Sequence, residues 1–288
     1  MTRAVYVNGA YRPYADAAVH VEDRGFQFAD AVYEVIEVKA RALVDATRHL
    51  DRLATSLAAL SIPAPMSNAA WRLVIAETVR RNRVADGLVY LQVSRGAHPR
   101  DFLFPPAGTP PTVVCLARSI PQAKRAARAA RGISVQTAPD IRWHRSNIKT
   151  VMLLPASLAK EAAKAAGADD AWFVDADGHV TEGASSNAWI VDREGRLVTR
   201  ALGPALLPGI TRRTLLDLLA REGIALVERP FTVAEAQTAR EAFTTSATSL
   251  VMPVVAIDGR SIANGEPGTL TLRLRTLFHE VAEHTPLS

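Results

Sequence analysis

β-Forming apolar residues run along Val5-Tyr6-Val7 and resume at Ala10-Tyr11, with polar Asn8-Gly9 between them. An Asn-Gly pair flanked by β-formers is the preferred two-residue type I′ turn, so the chain is predicted to open on a hairpin. Alternation predicts a strand over Val32–Lys39, and short apolar runs predict further strands over Leu88–Ser94, Thr112–Ala117, Ile133–Thr137 and Ala171–Asp175, the last turning at Asp177-Gly178. A second hairpin pairs Ala188–Val191 with Arg196–Thr199 about Glu194-Gly195. Helical spacing of apolar residues predicts helices over Leu50–Leu60, Asn68–Val84 behind a Ser67 cap, Met152–Ala166, Thr211–Glu222 ending at Gly223, and Leu270–Glu283.

Strands and helices mix without strict βαβ alternation, which predicts an α+β fold in both halves; neither a Rossmann glycine fingerprint nor a P-loop is present. Between Arg118 and Gly132 the β pattern breaks at Pro121 and gives way to an Ala/Arg-rich run. That break divides the chain into a small N-terminal α+β domain over 1–118, a linker over 119–131 and a larger domain over 132–288.

Composition narrows the class. With 288 residues, 48% of them hydrophobic, and mixed charge, the chain has the make-up of a globular protein with a sizeable core. No apolar run of signal-peptide length follows the N-terminus, and nowhere do about eighteen apolar residues run together, so a cytoplasmic protein without a membrane partner is expected. The single cysteine, Cys115, lies in an apolar segment and reads as a small buried hydrophobe, and no Cys/His cluster suggests a metal. Net charge +5 with cations at Lys124, Arg125, Arg128 and Arg131 would suit nucleic acid. These cations alternate with alanines and no aromatic platform accompanies them, so a solvated helix and an enzyme of anionic small molecules fit better.

Lysine usage then singles out one residue. Only five lysines stand among 34 cations, and Lys149 is the one set between Ile148 and the apolar stretch Val151–Leu154. An amine can lose its proton and form a Schiff base with an aldehyde, which a guanidinium cannot; Arg142, His144 and Arg145 just upstream would disfavour its charged form. A lysine snorkelling from a helix end reads equally well from these residues alone. Thr181-Glu182-Gly183-Ala184-Ser185-Ser186-Asn187 places one acid before small polar residues, either a tight turn or a carboxylate that holds a proton on a cofactor ring nitrogen. Pro208-Gly209-Ile210-Thr211-Arg212 is a loop-to-helix junction where Thr211 is a helix cap, part of a phosphate site, or both. Thr244–Ser249 offers further amides. Asp51 and Arg52 read locally as an ion pair on a solvated face, with a phosphate clamp as the other use of Arg52.

Taken in order, Glu22-Asp23-Arg24-Gly25-Phe26-Gln27-Phe28-Ala29-Asp30-Ala31-Val32-Tyr33-Glu34-Val35, His49–Leu53, Ile148-Lys149, Thr181–Asn187 and Gly209–Arg212 resemble the signature blocks of the fold-type-IV pyridoxal-phosphate enzymes. The resemblance spans nearly the whole chain and is nearest to the D-amino-acid aminotransferases, through the first block and Ser94-Arg95-Gly96-Ala97-His98-Pro99-Arg100. It implies a two-domain α+β architecture whose larger, barrel-like domain carries the cofactor lysine. It also implies a homodimer. Lys149 would form the Schiff base with pyridoxal 5′-phosphate and Glu182 would partner the pyridine nitrogen. Arg52, Ile210, Thr211 and the loop Ser246-Ala247-Thr248 would hold the phosphate, Leu207 would back the ring, and Ser185 and Asn187 would lie in its hydrogen-bonded surroundings. Tyr33, Arg100 and His98 would meet the substrate, with Arg100 and Tyr33 receiving its carboxylate.

The implied reaction is a ping-pong transfer of an amino group between a D-amino acid, D-alanine first, and a 2-oxo acid such as 2-oxoglutarate. Three departures from the family pattern bear on the substrate: Phe102 stands where a histidine is expected, Ala29-Asp30-Ala31 replaces Gly-Asp-Gly, and Ala247 replaces a threonine. Phe102 keeps an L-branched-chain aminotransferase and an (R)-amine transaminase open, and the resemblance extends to the aminodeoxychorismate-type lyases, which share the lysine and cofactor.

Overall fold

A computed structural model describes residues 3–287. The chain divides into two units, one formed by 1–121, 148–152 and 283–288, the other by 122–147 and 153–282. This division differs from that expected from sequence in two places. Residues 122–131 form a helix inside the second unit rather than a linker, because its buried Arg125 and Ala129 pack there. The Lys149 segment belongs to the first unit, because it adds backbone hydrogen bonds to a strand of that unit.

The first unit contains β1 (Ala4–Val7), β2 (Ala10–Pro13), α1 (Arg24–Phe28), β3 (Ala31–Lys39), β4 (Ala42–Val44), α2 (Ala46–Ala59), α3 (Asn68–Asn82), β5 (Gly87–Ser94) and β6 (Thr112–Ser119). With the C-terminal strand His284–Pro286 these form one antiparallel sheet in the order C-terminal strand, β4, β3, β5, β6, β1, β2. The opening hairpin turns at Asn8 and Gly9, both at positive φ (45° and 92°), as a type I′ turn requires. Ser67 caps α3 through the amide of Ala70 at 3.3 Å.

On β3 the even positions Val32, Glu34, Ile36 and Val38 are all buried, and α2 covers them with Leu50, Leu53 and Leu57. Period-two alternation therefore delivers a carboxylate, Glu34, into an otherwise apolar row. Cys115 on β6 is buried as expected, and burial pushes its thiol up to about 12.

The second unit contains α4 (Gln122–Arg131), β7 (Ile133–Pro139), α5 (Leu154–Ala165), β8 (Asp170–Val174), β9 (Val180–Gly183), β10 (Asn187–Val191), β11 (Leu197–Thr199), α6 (Ile210–Glu222), β12 (Leu226–Glu228), α7 (Val233–Gln237), β13 (Glu241–Ser246), β14 (Leu250–Ile257), β15 (Arg260–Ser261) and α8 (Thr269–Val281). Its sheet runs β12-β11-β10-β13-β14-β7-β8-β9, with β15 on β14. The β11–β12, β14–β7 and β7–β8 pairs are parallel.

This sheet has to curl. Strands β9 and β10 lie five places apart in it, about 24 Å if the sheet were flat. Only residues 184–186 connect them, and the Gly183 amide donates to the Ser186 carbonyl at 2.7 Å. The unit thus has the barrel-like character expected, with Trp172, Ile190, Val198, Phe231 and Val254 in its core. Asp175, Asp177 and His179 gather at the β8–β9 turn. Arg200 and the amides of Asp177 and His179 already occupy Asp175 there. Among the described residues, no helix is long and apolar enough to cross a membrane.

Candidate active site

In the first unit the segment around Lys149 lies along β3. The Tyr33 amide donates to the Lys149 carbonyl at 3.0 Å and the Val151 amide to the Ala31 carbonyl at 3.1 Å, while the Lys149 amide reaches Ser56 Oγ at 3.4 Å. The backbone is held on both sides, and the amine is aimed at Tyr33, its Nζ 4.1 Å from the ring centroid. Tyr33 also stacks on Tyr90, centroids 5.7 Å apart. Pinning of this kind suits a nucleophile that must be presented in one direction.

Arg52 does not pair with Asp51 on a solvated face. Its side chain is buried, and its Nε and Nη2 donate to the two oxygens of Glu34 at 2.7 and 2.8 Å. His49, one helical turn earlier, shares Glu34 Oε2 at 2.7 Å. Burial alone would raise the Glu34 carboxyl, but Arg52 and then His49 outweigh it and hold it well below the usual carboxylate range. Burial pushes His49 the other way, below the ordinary imidazole value, so it is neutral and donates its Nδ1 proton to Glu34. The signal for this cluster was in the sequence: a glutamate in the buried register of β3 requires donors, and α2 carries two of them at a spacing of three.

On the same unit, Arg100 is exposed, stacks on Phe28 with 4.6 Å to the ring centroid, and has no carboxylate partner among the described residues. Phe102 meets Phe28 edge-on at 5.8 Å. His98 is tied locally, its amide donating to the Glu22 carbonyl at 3.3 Å and its Nδ1 lying 3.2 Å from the Pro99 carbonyl.

In the second unit Thr181 and Glu182 lie in β9, and the tight turn follows them at 184–186. Glu182 is buried and surrounded by donors: Asn187 Nδ2 at 3.0 Å, the Leu207 amide at 3.2 Å, and the Arg142 guanidinium. Arg142 also donates to both oxygens of Asp140, and Thr181 Oγ1 donates to Asp140 at 2.7 Å. The Arg142 charge is therefore committed to two carboxylates and is not the bare cation expected upstream of Lys149.

Asn187 joins this acid to the start of α6. Its Nδ2 also donates to the Leu207 carbonyl at 3.0 Å, and a Cβ on Gly209 would fall 2.1 Å from its Oδ1. Gly209 is the N-cap and makes no side-chain cap bond, so Thr211 lies inside the helix and is not the cap. The first turn, with Ile210 and Thr211 buried, leaves its amides without intrahelical acceptors, an arrangement suited to an anion. In the β13–β14 turn, Ser246 Oγ and Thr248 Oγ1 lie 3.1 Å apart. Ser185 is exposed and accepts from Lys160 Nζ at 3.0 Å.

The first unit carries a half-buried lysine pinned along β3, and the second carries a buried acid among donors beside an uncapped helix start, groups suited respectively to an aldehyde, a ring nitrogen and a phosphate. The family described as amino-transferase class IV matches residues 31–257, and the chain belongs to that family. It is 38% identical over 272 residues to the D-alanine aminotransferase of Bacillus licheniformis, covering 94% of each. To that of Listeria innocua it is 36% identical over 281 residues, 96% of this chain and 95% of the relative. Among solved structures, the branched-chain amino acid aminotransferase of T.th. with pyridoxamine 5′-phosphate superposes with a TM-score of 0.88 at 26% identity, covering 97% of this chain and 94% of that one.

Proposed function

We propose that the chain is a D-amino-acid transaminase that uses pyridoxal 5′-phosphate to move an amino group from D-alanine to a 2-oxo acid such as 2-oxoglutarate. One observation supports the coenzyme most directly: within the second unit, Asn187 bonds both to the buried acid Glu182 and to Leu207 and packs on Gly209, so the acid and the amide-rich start of α6 are built as one piece. Bound there, the coenzyme supplies an aldehyde that carries the amino group and a ring that draws off the electrons released at the substrate Cα.

This chain's own residues do the rest. Glu182 holds the proton on the ring nitrogen, and Arg142 and Asn187 keep its carboxylate oriented. The amides of Ile210 and Thr211, with the Ser246–Thr248 turn and Arg52, bind the phosphate; at Ala247 only the amide is available. Leu207 backs the ring, and Ser185 lies at the rim. Lys149 would anchor the coenzyme through its amine and, when that amine is free, would take the proton from the donor's Cα and in the second half of the cycle deliver one to the Cα of the amino acid formed from the acceptor, on one face only. Arg100 and Tyr33 receive the carboxylate beside His98, and their side of the pocket selects the enantiomer. The enzyme acts as a cytoplasmic homodimer, in keeping with the exposed apolar side chains of Phe26, Phe102, Leu103 and Phe104, which a second copy would cover. Sedimentation would measure that assembly.

The test has two parts. Borohydride should fix the coenzyme to the native protein and not to Lys149→Ala. Incubation of D-alanine with 2-oxoglutarate should yield pyruvate only when the acceptor is present. Turnover of L-leucine or an (R)-amine without D-alanine would overturn the substrate. Pyruvate released from aminodeoxychorismate, with none formed from D-alanine, would indicate the lyase.

A further inference from the structure

Arg24 stands outside the roles assigned above, yet it is buried and bonds to the loop that carries Arg100. Its Nε donates to Asp30 at 2.9 Å, and its Nη1 donates to the carbonyls of Asp101 at 2.7 Å and Leu103 at 3.2 Å. Its own amide donates to the Gly96 carbonyl at 2.9 Å, and Asp23 bridges Ala97. The loop 96–104 is thus held at its base by backbone pairing and at its far side by one guanidinium. Asp30 is in turn held by Arg95, through Nε at 2.7 Å and Nη2 at 3.0 Å, while the remaining Arg95 donors take the carbonyls of Leu60 and Ser61. Phe104 lies against this pair, 3.7 Å from the Arg95 guanidinium. Only a planar fork can reach a carboxylate and two carbonyls at once; an ammonium places its donors on one atom.

We infer that Arg24 is a positioning residue for substrate recognition: through Asp101 and Leu103 it fixes the loop that aims Arg100 at the substrate carboxylate. This rests on the reading of Arg100 given above. Arg24 touches neither substrate nor coenzyme, so its loss should act on KM and leave kcat nearly alone.

The experiment compares Arg24→Lys with Phe104→Ala, a site exposed on the single chain, with sedimentation showing that each variant keeps the native assembly. Hydrogen exchange of the coenzyme-loaded enzymes across 96–104 reports the anchoring, and D-alanine kinetics report its consequence. Arg24→Lys should accelerate exchange in that segment alone and raise KM about tenfold or more, with kcat within about threefold; Phe104→Ala should do the same more weakly. Unchanged exchange in both variants, or faster exchange with unchanged KM, would overturn the inference. Arg100→Met separates the two levels. If it leaves KM unchanged, the carboxylate reading falls and takes this inference with it; if it raises KM while Arg24→Lys and Phe104→Ala do not, only the positioning role falls.

Discussion

Replacing Glu34 with glutamine tests the buried charge cluster on β3. The native carboxylate accepts Arg52 through both oxygens and His49 through one of them, and none of its side chain is exposed. An amide offers one oxygen and one NH2 group, so either orientation sets N–H against N–H of the guanidinium and removes the carboxylate charge that Arg52 pairs with on β3. Removing one partner of a buried pair costs about 3–5 kcal/mol, and the one acceptor that glutamine keeps favours the low end, about 3 kcal/mol. At roughly 2–4 °C per kcal/mol for a unit of this size, the melting temperature should fall by about 6–12 °C. Calorimetry of Glu34→Gln, Arg52→Met and the double variant measures this directly. In the double variant no guanidinium faces the amide, so its loss should be smaller than the sum of the single losses by about 1 kcal/mol or more. A fall under about 2 °C for Glu34→Gln, or strictly additive losses, would refute the reasoning.

Three further outcomes follow from the same geometry. Gly209→Ala places a methyl group 2.1 Å from Asn187 Oδ1, so it should displace Asn187 from Glu182, cost about 1–3 kcal/mol in calorimetry and weaken coenzyme binding in an equilibrium titration. His49 is held below its ordinary value in the fold, so the unfolded chain binds more protons as pH drops. Its stabilisation should be complete above about pH 6.5 and decline below it, and His49→Asn should flatten the urea-midpoint profile below about pH 6.5. Cys115, with its thiol pushed up to about 12 and its side chain buried, should resist thiol reagents at pH 8 and react at the rate of global unfolding. Prompt labelling of the native protein would contradict its burial.

The local features of this protein were legible in the chain by itself. Asn8-Gly9 turns a hairpin because both residues tolerate positive φ, Ser67 caps α3, and Gly223 ends α6 at φ 65°. Each depends on neighbours within a few residues. The tertiary structure alone decided the partners. Arg52 is adjacent to Asp51 in sequence but bonds Glu34, eighteen positions away, because α2 packs on the buried face of β3. Thr181 and Glu182 continue strand β9 rather than turn, since the curled sheet supplies Asp140 and Arg142 beside them. Arg24 reaches Asp101 and Leu103, seventy-seven and seventy-nine residues on. A charged group taken out of water must find its counterpart wherever packing brings one, and that choice is made by folded topology rather than by sequence distance.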